Sequence, residues 1–146
     1  AYALMHTSLP LVIVGEGPLR QELEDLAATL GIAERVHFAG RQLNPYPWMR
    51  HARLFVLSSA HEGLGIVLLE ALACGTPVVS VDCPGGVRDI MRGALAHYLC
   101  GMTPESLAER VDATLEEDGY PVDERWLEPF SPARITATFL QEPADS

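Results

Sequence analysis

Basic residues are scarce in this sequence. Its 146 residues include 10 Lys and Arg against 20 Asp and Glu, which gives a formal net charge of −10 at pH 7. The basic residues are scattered rather than clustered, so the negative field of the chain would repel a DNA or RNA strand. We therefore expect no nucleic-acid partner. A small anionic ligand stays open, because backbone amides at a helix N-terminus can bind a phosphate without any lysine.

Long hydrophobic runs are also lacking, and we expect no signal peptide. No apolar stretch approaches the roughly 20 residues that a membrane-spanning helix needs. The content of 48% hydrophobic and 21% charged residues is typical of an ordinary globular domain. We expect one cytoplasmic domain over residues 1–146, long enough to bury about two thirds of its unfolded surface.

Metal-binding patterns are missing as well. The three cysteines, Cys74, Cys83 and Cys100, are odd in number and lack the spacing of a zinc site. The five histidines show neither H-x-x-x-H nor H-E-x-x-H spacing. We interpret the cysteines as reduced, buried or semi-buried thiols, and we predict no metal and no cofactor.

What the sequence does contain is an alternation of short β-branched runs with helical patterns. Strands are predicted at residues 9–15, 35–40, 53–59 and 76–82, with a candidate edge strand at 96–100. Helices are predicted at residues 18–31, 44–52, 63–75, 85–91 and 103–118. This alternation predicts an α/β fold, in which helices cover both faces of a doubly wound parallel sheet.

The two ends of the chain carry weaker signals. Residues 1–8 are interpreted as the end of a helix, and Thr103 as the N-cap of the helix that follows it. Four large apolar residues in the tail predict one or two final helices that pack back on the body: Trp126, Phe130, Ile135 and Phe139.

The loops that follow the predicted strands are the places to expect a ligand. In doubly wound sheets, ligands bind outside the carboxyl ends of the strands. Those loops are residues 15–18, 40–47, 58–65 and 82–88. The loop after the third strand carries the most distinctive residues.

Glu70 is a single carboxylate inside an apolar helix. Its neighbours three and four positions away are uncharged, so the helix is predicted to be largely buried. A carboxylate buried without partners costs several kcal/mol. Two interpretations stay open: a structural Glu that is paired within the protein, or a Glu that points into a polar cleft and accepts two ligand hydroxyls.

Glu62 stands just ahead of Gly63-Leu64-Gly65, where the same helix is predicted to begin. Glycines allow close approach of the backbone, and unpaired amides at a helix N-terminus favour an anion. Alone, Glu62 fits an electrostatic helix cap as well as a ligand contact. Together, a diol-binding acid, phosphate-binding amides and a second hydroxyl-binding acid fit a nucleotide-diphosphate sugar.

The stretch SSAHEGLGIVLLEALACGTPVVSVDCPGGVRDIM resembles the C-terminal half of the retaining, GT-B-fold glycosyltransferases of family 4. Their signature is a Glu, seven residues and a second Glu, here Glu62 and Glu70. The stretches LVIVGEGPLRQELEDLAATLGIAERVHFAG and NPYPWMRHARLFVLSS are also similar to the family, so the resemblance covers about residues 9–92. After Gly93 the stretch ALAHYLCGMTP departs from the family pattern.

The resemblance implies a Rossmann-like domain that binds a nucleotide sugar and forms the second half of a GT-B fold. Glu62 would be the catalytic-site acid that contacts hydroxyls of the donor sugar, and Glu70 would bind the ribose. The implied donor-binding set is completed by Gly63, Leu64, Gly65, Ile66, Gly40, Arg41, Gln42, Gly15 and Gly17. No metal is implied, because amides and basic side chains neutralise the leaving diphosphate.

The resemblance also implies partners upstream of this chain. In the family, a central strand with diphosphate-gripping basic residues and an N-terminal acceptor domain precede the matched region. We therefore expect a donor-binding half that is inactive alone, and whose central strand is replaced by a rearrangement or by self-association with a second chain.

The full-length protein is expected to transfer sugar from a UDP-sugar, with retention, to a glycan or lipid-linked glycan. This would occur at the inner face of the membrane during bacterial surface polysaccharide or lipopolysaccharide synthesis. Two alternatives stay open: a nucleotide-sugar epimerase of the same fold, and a non-catalytic nucleotide-binding module.

Overall fold

The computed structural model describes residues 1–141, with side chains described through residue 136. The five strands are β1 (Leu11–Val14), β2 (Val36–Gly40), β3 (Phe55–Leu57), β4 (Val78–Val81) and β5 (Leu99–Cys100). The six α-helices are α1 (Arg20–Thr29), α2 (Tyr46–His51), α3 (Ile66–Ala73), α4 (Val87–Ile90), α5 (Pro104–Glu116) and α6 (Pro132–Gln141). None of the helices within residues 1–141 has the length and hydrophobicity that crossing a membrane requires.

The fold is α/β with parallel sheets, as the alternation predicts. Every predicted strand is present, but the strands form two sheets rather than one: β1 pairs with β2, and β4 lies between β3 and β5. Within residues 1–141, β1 and β3 each have one strand neighbour, so each keeps one unpaired edge. The predicted α/β class is therefore confirmed, with the parallel strands of these residues divided between two sheets.

Strand β4 is the centre of the hydrophobic core. All four of its residues are buried, and Val78 and Val79 are fully inaccessible. The buried cluster around β4 includes residues of two helices: Leu68 and Leu72 of α3, and Leu107 and Val111 of α5. The core is thus assembled almost entirely from residues after Leu54.

The chain ends differ in part from expectation. Of residues 1–8, which are predicted to form the end of a helix, only Tyr2–Leu4 is helical, as a single 3₁₀ turn. The Thr103 cap is confirmed, because its side chain accepts a hydrogen bond from the Ser106 amide at 3.2 Å.

The tail packs back in part. Trp126 and Phe130 contact the core cluster, whereas Ile135 is 49% exposed. The side chain of Phe139, the fourth of the predicted tail contacts, lies outside the described residues.

Candidate active site

The carboxyl ends of β1 and β2 bring two of the predicted glycines together. The amide of Gly15 donates to the carbonyl of Gly40 at 2.9 Å. Both glycines have positive φ, 142° at Gly15 and 68° at Gly40, which side-chain-bearing residues rarely adopt. The two strands therefore end in turns that keep bare backbone at this edge, while Gly17 lies exposed just beyond it.

Of the next two residues in the loop after β2, Gln42 is held by a hydrogen bond and Arg41 is exposed to solvent. The side-chain amide of Gln42 donates a hydrogen bond from Nε2 to the Ala39 carbonyl at 2.7 Å, so this side chain is held within its own loop. Arg41 is exposed, and Leu43 is fully exposed. Of the three predicted residues here, Arg41 is the one with an outward side chain.

Helix α3 begins later than predicted, at Ile66, with Gly65 as its N-cap at φ 77°. Gly65 is buried, and a Cβ placed on it would contact Leu57, Leu68 and Val87 at 3.5–3.8 Å. Gly65 thus shapes the turn and packs against the core, and its contact with a ligand stays a prediction. Gly63, in contrast, is exposed.

The amino end of α3 remains available to an anion. No side chain caps the helix, and the amides of Gly65, Ile66 and Val67 donate to no backbone acceptor within residues 1–141. Unpaired amides and the helix dipole make this end electropositive. The first turn of α3 is therefore uncapped, and the binding of an anion there stays a prediction.

Glu62 is half-buried and held in place on two sides. Its Oε1 accepts a hydrogen bond of 2.6 Å from the hydroxyl of Ser59, three residues earlier. Its backbone forms a parallel bridge with Gly85, in the loop after β4. Reasoning from the sequence missed Ser59, although a hydroxyl residue one turn before an acid is a detectable signal.

Glu70 is half-buried rather than deeply buried. Ile66, one turn before it, is 60% exposed, so the prediction of a largely buried helix is wrong on this edge. Oε1 of Glu70 accepts from the Tyr46 hydroxyl at 3.3 Å, and the charge of Glu70 raises the pKa of that exposed tyrosine. Tyr46, at the start of α2, was also missed, and it links the β2 loop to α3.

The positive charges near the strand ends are arginines, because the sequence has no lysine. In the loop after β4, the Arg88 guanidinium donates to both carboxylate oxygens of Asp82. This pairing lowers the pKa of Asp82 and raises that of Arg88. Among residues 1–141, no group of three His, Cys, Asp or Glu side chains has a geometry suited to a metal ion.

Comparisons with known proteins give the family. The sequence model of the family described as "Glycosyl transferases group 1" matches residues 1–128. A Campylobacter jejuni protein named N-acetylgalactosamine-N,N'-diacetylbacillosaminyl-diphospho-undecaprenol 4-alpha-N-acetylgalactosaminyltransferase is 42% identical over 90 residues. The matched segment is 62% of this chain and 25% of that protein.

Solved structures share the fold of this chain. The apo form of the lipopolysaccharide outer core galactosyltransferase WaaB superposes with a TM-score of 0.84 at 26% identity, over 95% of this chain and 41% of that one. Anabaena HepE in complex with UDP superposes with a TM-score of 0.83 at 21% identity, over 96% of this chain and 42% of that one. The chain spans less than half the length of these proteins, and it belongs to the glycosyl transferases group 1 family.

Proposed function

We propose that this chain is the donor-binding part of a retaining glycosyltransferase that uses a UDP-sugar. The observation that carries the proposal is the position of Glu62 just before, and of Glu70 just after, the uncapped first turn of α3 along the chain. Membership of the group 1 family supports it, as does the fold shared with a structure that holds UDP.

Each carboxylate keeps an oxygen for a ligand. Oε1 of Glu70 accepts from Tyr46 and Oε1 of Glu62 accepts from Ser59. No hydrogen bond within residues 1–136 occupies Oε2 of either side chain. A carboxylate oxygen accepts strong hydrogen bonds from hydroxyl groups. We assign Glu70 to the ribose and Glu62 to the donor sugar.

The diphosphate would lie at the first turn of α3. Its free amides and the helix dipole favour negative charge there. As the sugar leaves the nucleotide, negative charge grows on the diphosphate, so fixed amide dipoles stabilise the transition state more than the ground state. The proposal assigns this role to amides and arginines of the complete protein, with no metal.

Transfer itself needs an acceptor site, which we place outside this chain. The names of the C. jejuni relative and of WaaB describe enzymes that build a lipid-linked glycan and the lipopolysaccharide core. We propose the same broad role, synthesis of a bacterial surface glycan at the inner face of the membrane, for the complete protein.

The test is a binding titration that is monitored through the NMR chemical shifts of the backbone amides. UDP, UDP-glucose, UDP-galactose and UDP-N-acetylglucosamine are added in turn to the chain, and shifts are expected at residues 62–67 and 40–42. Glu70→Gln should weaken UDP binding about tenfold, the cost of a hydrogen bond to a charged group. Glu109→Gln, an exposed acid on α5, is the matched control. If UDP shifts none of these amides, or if Glu70→Gln binds as tightly as Glu109→Gln, the proposal fails.

A further inference from the structure

The loop after β4 is packed against the backbone of Glu62 more tightly than any side chain would permit. The Glu62 amide donates to the Pro84 carbonyl at 3.1 Å, and the Gly86 amide donates to the Gly63 carbonyl at 2.7 Å. These two hydrogen bonds flank the parallel bridge between Glu62 and Gly85. The two loops are therefore joined like a short piece of sheet at the carboxyl ends of β3 and β4.

Glycine is required at both contact positions. A Cβ on Gly85 would overlap the carbonyl oxygen of Glu62, and a Cβ on Gly86 would lie 2.6 Å from the carbonyl oxygen of Gly63. Gly85 also has a φ of 116°, a conformation that residues with side chains rarely adopt. The obstructing atoms are backbone, so they cannot move aside without moving Glu62 itself.

The side chain of Glu62 is fixed separately from its backbone. Ser59 donates to Oε1 at 2.6 Å, which leaves Oε2 as the oxygen that can turn to a ligand. A carboxylate fixed before the ligand binds loses less conformational entropy on binding. The backbone contacts set where Glu62 stands, and the hydroxyl sets how its carboxylate is rotated.

We propose that Gly85, Gly86 and Ser59 are positioning residues that fix Glu62 for recognition of the donor sugar. This inference rests on the proposed function, because it takes the ligand of Glu62 to be the sugar of a UDP-sugar. It adds that sugar recognition depends on the loop after β4, whereas UDP recognition does not. The three residues act through Glu62 and need no contact with the ligand.

The test compares UDP with the UDP-sugar of the above panel that binds the wild-type chain most tightly. Gly85→Ala is expected to weaken the UDP-sugar about tenfold and to change UDP affinity by less than about twofold. Ser59→Ala should weaken the UDP-sugar about threefold, and Ser59→Thr, which keeps the hydroxyl, should restore it. The proposal would be overturned if Gly85→Ala lost the same amount of affinity for UDP and for the UDP-sugar, or if it kept the wild-type affinity for the UDP-sugar.

Gly93→Ala is the matched control for backbone strain. Gly93 also has a positive φ, 58°, but a Cβ on it would meet no atom within 4 Å. The control is expected to bind both ligands as the wild type does. If Gly93→Ala shows the same selective loss, the effect of Gly85→Ala is not specific to the Glu62 contact, and the proposal is wrong.

A ligand-free measurement separates this inference from the proposed function. Amide hydrogen exchange at Glu62 and Gly86 should be slow in the wild type and faster in Gly85→Ala, because both amides donate across the two loops. Unchanged exchange would overturn the positioning role whatever the ligand is. If the wild-type chain binds neither UDP nor any UDP-sugar while exchange responds as expected, the proposed function fails and the loop contact stands.

Discussion

The part of the molecule from β1 to β2 and the part from β3 to β5 are built from similar residues but are buried to different degrees. Strand β1, with the sequence LVIV, alternates between half-buried and exposed residues, and Val12 and Val14 are each 38% exposed. Strand β4, with the sequence VVSV, is buried throughout. The difference lies in the neighbours: among residues 1–141, β4 is paired on both sides and β1 on one side.

The helices repeat the contrast. Four leucines of the α1 segment, Leu19, Leu23, Leu26 and Leu30, are 41–55% exposed. In α3, Leu68 and Leu72 are almost completely inaccessible. Similar apolar residues therefore contribute different amounts to stability, since the hydrophobic gain follows the area removed from water. We expect the β3–β5 part to control the stability of the described chain.

The largest expected difference is between matched leucine truncations. Leu68→Ala removes a fully buried side chain, and it should lower the free energy of unfolding by about 3–5 kcal/mol. Leu26→Ala removes a side chain that is 50% exposed, and we expect a loss below about 1 kcal/mol. Urea unfolding of the two variants measures both values. Equal losses would show that the two parts contribute equally, against the burial seen here.

A smaller difference in the free energy of unfolding is expected between Tyr→Phe variants of two tyrosines whose hydroxyls bind the backbone near the start of a strand. The Tyr120 hydroxyl accepts from the Val78 amide at 2.7 Å and donates to the Val78 carbonyl at 2.9 Å. Tyr120→Phe leaves both groups unpaired in a partly buried place and should cost about 1–3 kcal/mol.

Its matched control is Tyr2, whose hydroxyl donates to the exposed Leu9 carbonyl at 2.7 Å. Because water can replace that bond, Tyr2→Phe should cost less than about 1 kcal/mol. Thermal unfolding of the pair checks the order, and a larger loss for Tyr2→Phe would contradict it.

Alkaline pH should affect the Tyr120 region in a defined direction. Burial raises the pKa of Tyr120 in the folded chain above its ordinary value near 10. The neutral phenol therefore stabilises the fold fully below the unfolded pKa, and this contribution is lost as pH rises above it. The loss is about 1.4 kcal/mol per pH unit until the folded group also ionises. Stability measured against pH should fall more steeply for the wild type than for Tyr120→Phe.

The smallest effect is expected at the surface ion pairs. Arg88 lowers the pKa of Asp82, so this pair stabilises the fold above the unfolded pKa of Asp and loses its contribution as pH falls through the folded value. Both partners are partly or largely exposed, so Asp82→Asn should cost less than about 1 kcal/mol near neutral pH.

Glu24→Gln in α1, which breaks the exposed pair with Arg20, should cost no more. Chemical unfolding at neutral and acid pH tests both variants. A loss of several kcal/mol in the free energy of unfolding for either variant would contradict the expectation that a surface pair contributes little to stability.

The order and type of the elements could be predicted from local sequence. The β-branched runs and the leucine spacing of α1 and α5 are local signals, and they located the strands and helices within a few residues. The sequence pattern predicts the beginning of α3 too early, because glycines at 63 and 65 look alike in sequence while only Gly65 is the N-cap. The helix end predicted at residues 1–8 is only a 3₁₀ turn at Tyr2–Leu4, because eight residues carry too little periodicity to define a helix.

The candidate site was predictable as a set of residue types, but its contacts were not. Glu62 and Glu70 stand out because acids are costly in apolar surroundings. Their partners, Ser59 and Tyr46, and the packing of Gly85 against Glu62 depend on how separate loops meet in space. Pairing across a fold leaves no periodic trace in the sequence, so these contacts needed the structure.

By itself, the sequence determined the α/β alternation, the two acids around α3 and the negative charge of the chain, since these depend on residue type and spacing. Tertiary structure decided which apolar runs are buried, that the strands form two sheets, and that the loop after β4 fixes Glu62. The physical reason is that burial and hydrogen bonding depend on neighbours distant in the chain. A valine in β1 and a valine in β4 differ in their surroundings and not in their chemistry.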